Sequence, residues 1–326
     1  MATVYVTGSI ATDHLMRFPG RFTDQLIADR LHTVSLSFLV DDLIVQHGGV
    51  AANIAYGLAG LGLRPRLVGA VGADFADYRA RLERHGVDCS TVHVSATAQT
   101  ARFVCTTDRD MCQIASFYAG AMAEAAGIDL AALAADQPPD LVVVAPDVPA
   151  AMVRHAAVCR DMDWPFAADP SQQLARMSAE QVRDFVTGAR YLLTNEYEYE
   201  LLRTRLGATD AEVRAMVDMV VTTRGAKGVV LREAGRAVEV AAVPVAAPLD
   251  PTGAGDAFRA GFLAATARGL PHATAAAVGC QLAAYAIGVP GGQGYRVDHE
   301  TLVADLRENY GPEVSGALLR SYEKAG

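Results

Sequence analysis

The run "DPTGAGDAFRAGF" at Asp250–Phe262 combines small residues with a carboxylate in a pattern that could do chemistry. Residues 252–255 place almost no side chain around the backbone, and a helical pattern with one apolar face follows them. Bare amide N–H groups at a helix start attract an anion such as a phosphate group. Asp256 nevertheless puts a negative charge in the middle of that anion site. Any chemistry proposed for this run has to explain why a carboxylate lies at a site for anions.

Two explanations account for Asp256. An acid in the first turn of a helix gains about 0.3–1 kcal/mol from the helix dipole, but that gain does not explain the small residues before it. In a phosphoryl transfer, the N–H groups of Gly253, Ala254 and Gly255 would hold the charge of the transferring group. Asp256 would then accept the proton of the attacking hydroxyl, as an aspartate does in kinases.

Other phosphate and metal motifs do not match the sequence. There is no G-x-x-x-x-G-K-[ST] run, so Lys227 in "RGAKG" is not a P-loop lysine. No G-x-G-x-x-G follows the first predicted strand, which argues against a dinucleotide-binding dehydrogenase. "DPTGAGD" begins like a calcium loop, but its twelfth position is Gly261, where a Glu is needed. The histidines show no H-E-x-x-H pattern.

The elements that must position this run alternate between short β-branched stretches and helical ones. The strands are predicted at residues 3–7, 66–71, 140–145, 165–169, 190–194 and 219–223. The helices are predicted at residues 51–61, 150–162, 179–187 and 196–206, with a largely helical end over 254–325. This βαβα order predicts an α/β fold, a doubly wound and mostly parallel sheet flanked by helices. We expect a single domain over residues 1–326.

Two segments, residues 16–47 and 97–118, break the alternation. Polar and apolar residues roughly alternate in both, which is typical of β segments with one exposed face. We therefore expect them to pair as a small β-sheet lid beside the main sheet. Because unpaired strand edges invite pairing, the lid is also a candidate surface for a homodimer.

Polar residues follow several predicted strands, where a doubly wound sheet binds its ligands. "GSIATD" follows the first strand, and "PSQQLAR", "NEYE" and "RGAKG" follow three later ones. In "HGGVAAN", Gly48 and Gly49 would let a polyhydroxyl ligand approach the backbone, and Asn53 would bond a hydroxyl. A close-packed helix start is the alternative explanation of these glycines.

Composition narrows the class of protein. The chain has 51% hydrophobic and 20% charged residues and a net charge of −9, which disfavours a nucleic-acid partner. Its first residues lack the basic start and long apolar run of a signal peptide, and no apolar run is long enough to span a membrane. The five scattered cysteines form no Cys-x-x-Cys pair, so we expect reduced thiols and a cytoplasmic location.

Together these motifs resemble the ribokinase-like carbohydrate kinases, the PfkB family, over nearly the whole chain. "GSIATD" is similar to the first substrate loop, "GGVAAN" to the N-terminal signature and "DPTGAGDAFRAGF" to the C-terminal signature. "NEYE" and "TTRGAKG" are similar to the Asn-x-x-Glu motif and the nucleotide loop. Within the family, "GSIATDHLMRFPGRF", "SLSFLVDDL", "GADFADYR", "QIASFY" and "FAADPSQQLAR" resemble bacterial adenosine kinases. The resemblance implies ATP-dependent phosphorylation of the adenosine 5′-hydroxyl to AMP, a purine-salvage reaction.

The resemblance also implies roles for individual residues. The base would be Asp256, and the anion hole Gly253, Ala254 and Gly255. Ribose would be bound by Ser9, Asp13, Gly49 and Asn53. The nucleobase would lie between Phe103 and Phe117, helped by Gln172, Gln173 and Arg176. ATP would be bordered by Asn195, Thr223, Gly225 and Gly228, and magnesium would be organised by Glu198, through water.

Elementary chemistry agrees with two of these roles. A carboxylate such as Asp13 can accept two vicinal hydroxyls, as a ribose presents them, and stacking on an aromatic ring contributes about 1–3 kcal/mol per base. Without the resemblance, Phe103 and Phe117 would be read as the apolar core of the lid. The "GVPGGQG" run at Gly288–Gly294 offers carbonyls to a monovalent cation such as potassium, and a flexible turn is its alternative.

Three other functions stay open from the sequence. One is a kinase for ribose, fructose or a different nucleoside. Another is a non-catalytic nucleoside-binding regulator, which would have no need of the base at Asp256. A dehydrogenase comes last, because the sequence lacks its glycine fingerprint.

Overall fold

A computed structural model describes residues 2–26, 28–33, 35–233 and 235–323 of the chain. The strands in these ranges are β1 (Val4–Thr7), β2 (Ala11–Arg17), β3 (Asp42–Gly48), β4 (Arg66–Val68), β5 (Ala70–Val71), β6 (His93–Val94), β7 (Ala101–Thr107), β8 (Gln113–Tyr118), β9 (Leu141–Val144), β10 (Phe166–Ala168), β11 (Tyr191–Asn195), β12 (Met219–Thr223), β13 (Val229–Glu233) and β14 (Arg236–Val240). The α-helices are α1 (Phe22–Gln25), α2 (Val50–Gly60), α3 (Ala76–Arg84), α4 (Leu130–Leu133), α5 (Pro149–Asp161), α6 (Ala179–Val186), α7 (Glu196–Leu206), α8 (Asp210–Arg214), α9 (Ala254–Ala267), α10 (His272–Ile287), α11 (His299–Tyr310) and α12 (Pro312–Glu323). Short 3₁₀ turns lie at Ala28–Thr33, Ala73–Phe75, Gly120–Gly127, Ser171–Ala175 and Gly225–Lys227.

The main sheet has eight strands in the order β14-β13-β12-β11-β10-β9-β1-β4. All neighbours from β4 to β12 pair in parallel, whereas β12, β13 and β14 are antiparallel. The predicted doubly wound, mostly parallel sheet is therefore confirmed. The hairpin of β13 and β14 was not predicted.

One predicted strand, residues 66–71, is divided in the structure. Its first half is β4 of the main sheet, and its second half is β5, which pairs with β6 in a separate two-stranded sheet. The division falls at Gly69, where a Cβ atom would lie 2.6 Å from the backbone oxygen of Gly8. This close approach of two backbones turns the chain out of the main sheet.

Helices cover the main sheet on both faces, so its parallel strands are mostly apolar. Along β1, Val4 and Val6 face a core built with α2, α9 and α10, while Tyr5 faces a core built with α5, α6 and α7. The predicted helices between strands are present within one residue at each end. The predicted helical end is present as α9 to α12, and residues 324–325 of that prediction lie outside the described residues.

Helix α9 is held by unusually close contacts with its neighbours. A Cβ atom at Gly261 would lie 2.8 Å from the backbone of Gly279 on α10. A Cβ atom at Gly57 on α2 would lie 2.5 Å from the Cβ of Ala260. Because packed interiors leave no room to adjust such contacts, the position of the first turn of α9 is fixed by these neighbours.

The small sheet has the strand order β3-β2-β7-β8. β2 pairs antiparallel with β3 and parallel with β7, and β7 pairs antiparallel with β8. The predicted lid segments do pair with each other, although the first strand begins at Ala11, before the predicted segment 16–47. Residues 27 and 34 of that segment lie outside the described residues.

The register of the small sheet assigns its residues to two faces, because residues directly opposite each other share a face. Asp13 lies opposite Gln46 and Phe103, and Phe103 lies opposite Phe117. These side chains form the face toward the main sheet. The alternate positions form the outer face.

No helix within the described ranges is long and apolar enough to cross a membrane. All five cysteines are free thiols, four of them buried and Cys112 exposed.

Candidate active site

A cavity of about 660 Å³ lies between the carboxyl ends of the main strands and the inner face of the small sheet. It brings together most of the predicted site residues: Ser9, Asp13, Gly49, Asn53, Phe103, Phe117, Gln172, Gln173, Arg176, Asn195, Glu198, Thr223, Gly253, Gly255 and Asp256. The predicted residues that do not line it are Ala254, Gly225 and Gly228. The cavity therefore joins residues that lie more than 240 positions apart in the sequence.

Helix α9 begins at this cavity with no side-chain cap. Gly253 has a φ of 76°, and a Cβ atom there would lie 2.4 Å from the Cα of Gly292, so this position requires glycine. The N–H group of Ala254 donates to the Pro251 oxygen at 3.2 Å. Gly253 and Gly255 line the cavity, so their amides are better placed than that of Ala254 to face an anion.

Asp256 lies in the first turn of α9 and is partly buried. Its Oδ2 accepts a hydrogen bond of 2.8 Å from the Nδ2 of Asn53. The Oδ1 of Asn53 accepts one of 3.0 Å from the Nε2 of the buried Gln293, which fixes the orientation of the Asn53 amide. Burial raises the pKa of Asp256, while Arg259 and the bond from Asn53 lower it. A carboxyl with a raised pKa is better matched to proton abstraction near neutral pH.

Arg259 and Asp169 are residues of this site that sequence analysis missed. The Nη2 and Nε of Arg259 lie 2.8 Å and 2.6 Å from the two oxygens of Asp169, in a bidentate arrangement. Both side chains are buried, and Arg259 also lines the cavity. Burial raises the pKa of Asp169 and the guanidinium opposes that rise; one charge-assisted hydrogen bond and a second ion-pair contact favour the ionised pair.

Two sequence signals could have found this pair. Arg259 is three positions after Asp256, so it projects from the same side of α9 one turn later. Asp169 comes directly after β10, at the edge where ligands bind in such a sheet.

The "NEYE" motif forms the start of α7. The Asn195 side chain accepts from the Glu198 N–H, and the Glu198 Oε2 accepts from the Asn195 N–H, each at 2.8 Å. This capping box satisfies two helix-start N–H groups. It also engages one oxygen of the predicted magnesium residue, and the same Oε2 lies 3.9 Å from the Arg259 Nη2.

The nucleotide loop follows β12. Thr223 lines the cavity, and its Oγ1 donates to the Thr194 oxygen at 3.4 Å. Gly225 and Gly228 bound the short 3₁₀ turn beyond it, with φ values of 55° and 89°. A Cβ atom at Gly228 would lie 2.0 Å from the Val240 oxygen of β14. Close backbone packing therefore explains Gly228 without a ligand.

Ser9 and Gly49 hold the start of α2. The Ser9 Oγ accepts from the Val50 N–H at 3.1 Å, and its backbone oxygen accepts from the Ala51 N–H at 3.2 Å. Gly49 has a φ of 92°, and a Cβ atom there would lie 2.5 Å from the Ser9 oxygen. The close-packed helix start, the alternative explanation of these glycines, is thus part of their role.

Asp13 extends from the small sheet into the cavity. Burial, with the nearby charges of Asp250 and Asp256, raises its pKa to about 6. Asp250 itself accepts from the N–H groups of Gly291 and Thr252, at 2.8 Å and 2.9 Å. The loop that contains "GVPGGQG" is therefore bonded to the start of the C-terminal signature.

The segment after β10 forms the wall near the two phenylalanines. Ser171 has a φ of 41° although it is not glycine, and such strain is found mostly at functional sites. Its Oγ donates to the Gln172 Oε1 at 2.8 Å. The Gln173 Oε1 is buried and has no hydrogen-bond partner among the described residues. The Gln173 amide therefore keeps hydrogen-bonding capacity that the described residues do not use.

Comparison with known proteins agrees with this geometry. The sequence model of the pfkB family of carbohydrate kinases matches residues 8–298. A nucleoside kinase of Methanocaldococcus jannaschii is 28% identical over 253 residues, which cover 76% of this chain and 81% of that protein. A nucleoside kinase of Methanothermobacter thermautotrophicus is 34% identical over 226 residues, which cover 68% and 72%.

Solved structures of a nucleoside kinase from Burkholderia thailandensis share the fold. Its complex with inosine superposes with a TM-score of 0.83 at 31% identity, covering 95% of this chain and 99% of that one. Its complex with ADP and inosine gives a TM-score of 0.80 at 32% identity, covering 95% and 97%. These similarities extend over the main sheet and the small sheet together.

Asp13→Asn should raise the thermal midpoint at about pH 8 and change it little near pH 3. A folded-state pKa of about 6 lies above the ordinary value of 3.8, so the ionised carboxyl destabilises the folded state above pH 6. Below both pKa values the Asp13 carboxyl is protonated in the folded and unfolded states, so its charge no longer changes the stability. The gain at high pH should be on the order of 1–2 kcal/mol, or about 2–4 °C.

Calorimetry at both pH values measures this difference. The exposed Asp136→Asn is the matched control, and its shift should be the same at both pH values. An Asp13→Asn shift that is equal at both would contradict the raised pKa.

Proposed function

Because the chain belongs to the pfkB family of carbohydrate kinases, we propose that it transfers the γ-phosphoryl group of ATP to the 5′-hydroxyl of adenosine. The chain is a phosphotransferase with an alcohol acceptor. The observation that carries the nucleoside assignment is one cavity that holds Asp13 and Asp256 together with Phe103 and Phe117. The nucleoside kinases among its relatives, one of them solved with inosine and with ADP and inosine, support the same substrate class.

The reaction uses Asp256 as the general base. Its Oδ2 is engaged by Asn53, which leaves Oδ1 to take the proton of the 5′-hydroxyl. The 5′-oxygen then bonds to the γ-phosphorus as the bond to the bridging oxygen breaks, and its electron pair leaves with ADP. The N–H groups of Gly253 and Gly255 stabilise the negative oxygens of the transferring group.

Asp13 and Asn53 fit the ribose end of the substrate. A carboxylate can accept both the 2′- and the 3′-hydroxyl, which explains an acid on the inner face of the small sheet. Asn53 already bonds Asp256 and Gln293, so its amide would reach the ribose with its remaining hydrogen-bonding capacity. Ser9 and Gly49 shape the same end of the cavity.

Phe103 and Phe117 support a purine, since flat apolar rings stack on a base with about 1–3 kcal/mol each. They lie on neighbouring strands directly opposite each other, and both line the cavity. Gln173 also lines the cavity, and its amide oxygen would accept from the exocyclic amine of adenine. Arg176 and Gln172 complete this end of the cavity.

We propose that ATP enters with Mg²⁺. The cavity is lined by three carboxylates, those of Asp13, Glu198 and Asp256, and by two guanidinium groups. This excess of negative charge would repel the phosphates of ATP without a cation. The described residues contain no cluster of three or more His, Cys, Asp or Glu that could hold a metal alone. The ion would therefore be held by the nucleotide phosphates, with Glu198 acting through water. When bound, it would neutralise charge on the phosphates.

A monovalent cation such as potassium fits the loop at Gly288–Gly294, which is bonded to Asp250. Gly292 of this loop packs against both Gly253 and Asn53. A cation held by this loop would thus act on the anion hole and on the orientation of the base. Activity that is the same in potassium and in a bulky organic cation would exclude this role.

We also propose a homodimer through the small sheet. Its outer face carries Leu43, Val45, Ile114 and Tyr118, whose exposed fractions are 55%, 56%, 48% and 49%. An exposed apolar sheet face of this kind is typical of an association surface. The cytoplasmic location predicted from the free thiols stays a prediction.

Adenosine should give the highest kcat/KM in an ADP-release assay that compares adenosine, inosine, guanosine, cytidine, ribose and fructose with ATP and Mg²⁺. The free sugars lack the base that would stack on the phenylalanines, so they should be the poorest acceptors. Removal of Mg²⁺ by a chelator should stop the reaction with every acceptor. If inosine or cytidine ranks first, the adenosine assignment is wrong; if ribose or fructose does, the nucleoside assignment is wrong too.

Asp256→Asn should lower kcat by about 10²–10⁴-fold, because the amide keeps the shape of the carboxylate but cannot accept the proton. Adenosine binding should weaken far less, since Asp13 and the phenylalanines are unchanged. Calorimetric titration and steady-state kinetics on the folded variant measure the two effects. Asn is also accepted at a helix start, so near-normal turnover would mean that Asp256 serves the helix and not the reaction.

The wild-type chain should have twice its single-chain mass of 34.4 kDa in light scattering at micromolar concentration. Val45→Glu should convert it to a monomer, because the new charge lies among the exposed apolar residues of the outer face, on strand β3. Leu319→Glu, at an exposed position of α12, is the control and should stay dimeric. A monomeric wild type would reject the dimer.

A further inference from the structure

Three carboxylates and a guanidinium, all buried or partly buried, lie together beside the start of α9. Arg259 bonds Asp169 in a bidentate pair, and its Nη2 lies 3.9 Å from the Glu198 Oε2. Its Nη1 lies over Gly255, where a Cβ atom would come within 2.7 Å of it. Gly255 is therefore small because the guanidinium occupies the space beside the anion hole. Asp256 precedes Arg259 by one turn of the same helix.

The charged and titratable groups that face Asp256 come from every element packed around it. Four of them are acidic: Asp13 on β2, Asp169 after β10, Glu198 on α7 and Tyr295 before α11. The neutral Asn53 on α2 donates a hydrogen bond. Among the described residues that face it, the one cation is Arg259 on α9.

We propose that Arg259 is a positioning residue of the reaction, whose guanidinium, oriented by Asp169, keeps the Asp256 carboxyl ionised and ready to accept a proton. The proposal rests on the proposed role of Asp256 as the base. Neighbouring carboxylates and loss of water both favour the protonated carboxyl, and a protonated carboxyl cannot act as a base. The fixed positive charge of Arg259, one helical turn away, counteracts both effects on the Asp256 carboxyl.

The role of Asp169 follows from the same geometry. An unpaired arginine beside three carboxylates could adopt several orientations, and a two-point ion pair with one carboxylate restricts it to one. The pair also explains why the cation does not bind Asp256 directly, which would occupy the oxygen that must receive the proton. A buried ion pair is weak evidence of stability in itself, because desolvation offsets its attraction.

The test compares the dependence of kcat on pH in four proteins: wild type, Arg259→Lys, the double variant Asp169→Asn with Arg259→Gln, and Arg268→Gln. The double variant replaces the ion pair with a neutral pair of similar shape, so no unpaired charge is buried. Its acidic midpoint should still move up, because Arg259 acts on Asp256 more strongly than the Asp169 carboxylate that is removed with it. Below the midpoints of both proteins, its kcat should therefore be lower than that of wild type by about tenfold for each pH unit of the shift, with KM for the nucleoside within twofold.

Arg259→Lys retains the charge and should keep its midpoint within a few tenths of a unit of wild type, whatever its maximal kcat. Arg268→Gln removes a partly buried arginine from the far end of α9 and should leave the midpoint unchanged. An unmoved midpoint in the double variant would overturn the proposal. So would a midpoint in Arg259→Lys that moves as far as in the double variant.

A second measurement is independent of turnover. In protein labelled with ¹³C at aspartate carboxyls, the resonance that is missing from Asp256→Asn reports the titration of Asp256. It should titrate at a higher pH in the double variant than in wild type or Arg268→Gln, and equal titration would overturn the proposal. A wild type that phosphorylates no nucleoside would refute the proposed function, while this titration would still decide the effect of Arg259.

Discussion

The first turn of α9 has to lie against other backbone with almost no side chains between them, and the site depends on this contact. Gly253 touches Gly292, and Gly261 packs on the backbone of Gly279. These contacts fix both the direction of the helix and the loop before it. Because the N–H groups of a helix start point along its axis, fixing the helix also fixes where an anion can bind.

The electrostatics of the cavity follow from that geometry. A helix start attracts negative charge, yet the same turn contains Asp256, with Asp13 and Asp250 near it. Such a cluster is costly when the site loses water, and the raised pKa of Asp13 is the sign of that cost. The buried pair of Arg259 and Asp169 puts a positive charge next to the cluster. A cavity of this kind is suited to a charged ligand that brings its own cation.

The two faces of the small sheet have different surroundings. Its inner face carries Asp13 and the phenylalanines, which must stay exposed to the cavity, so that face cannot be closed by a packed core. Its outer face carries exposed apolar residues on the two edge strands, β3 and β8. A four-stranded sheet with neither face fully covered is weakly stabilised on its own. Association through the outer face would supply the missing burial while leaving the inner face open.

The sequence alone determined the mostly parallel sheet, the helices that cover it and the residues at its carboxyl edge, because these depend on local periodicity and on the direction of parallel strands. It also identified the glycine-rich start of α9 with Asp256, since that signature is contiguous. Most of the predicted site residues do line one cavity. The resemblance to a known family carried the assignment of individual roles that periodicity could not supply.

Only the tertiary structure decided the contacts between distant segments. Arg259 and Asp169 are 90 positions apart, and Gln293 and Asn53 are 240 apart. The parallel pairing of β2 with β7 and the added hairpin of β13 and β14 likewise depend on how whole elements meet. Local sequence patterns determine which residues share one face of a helix or strand, but not which distant element packs against that face. A buried charge finds its partner only when packing has brought the two segments together.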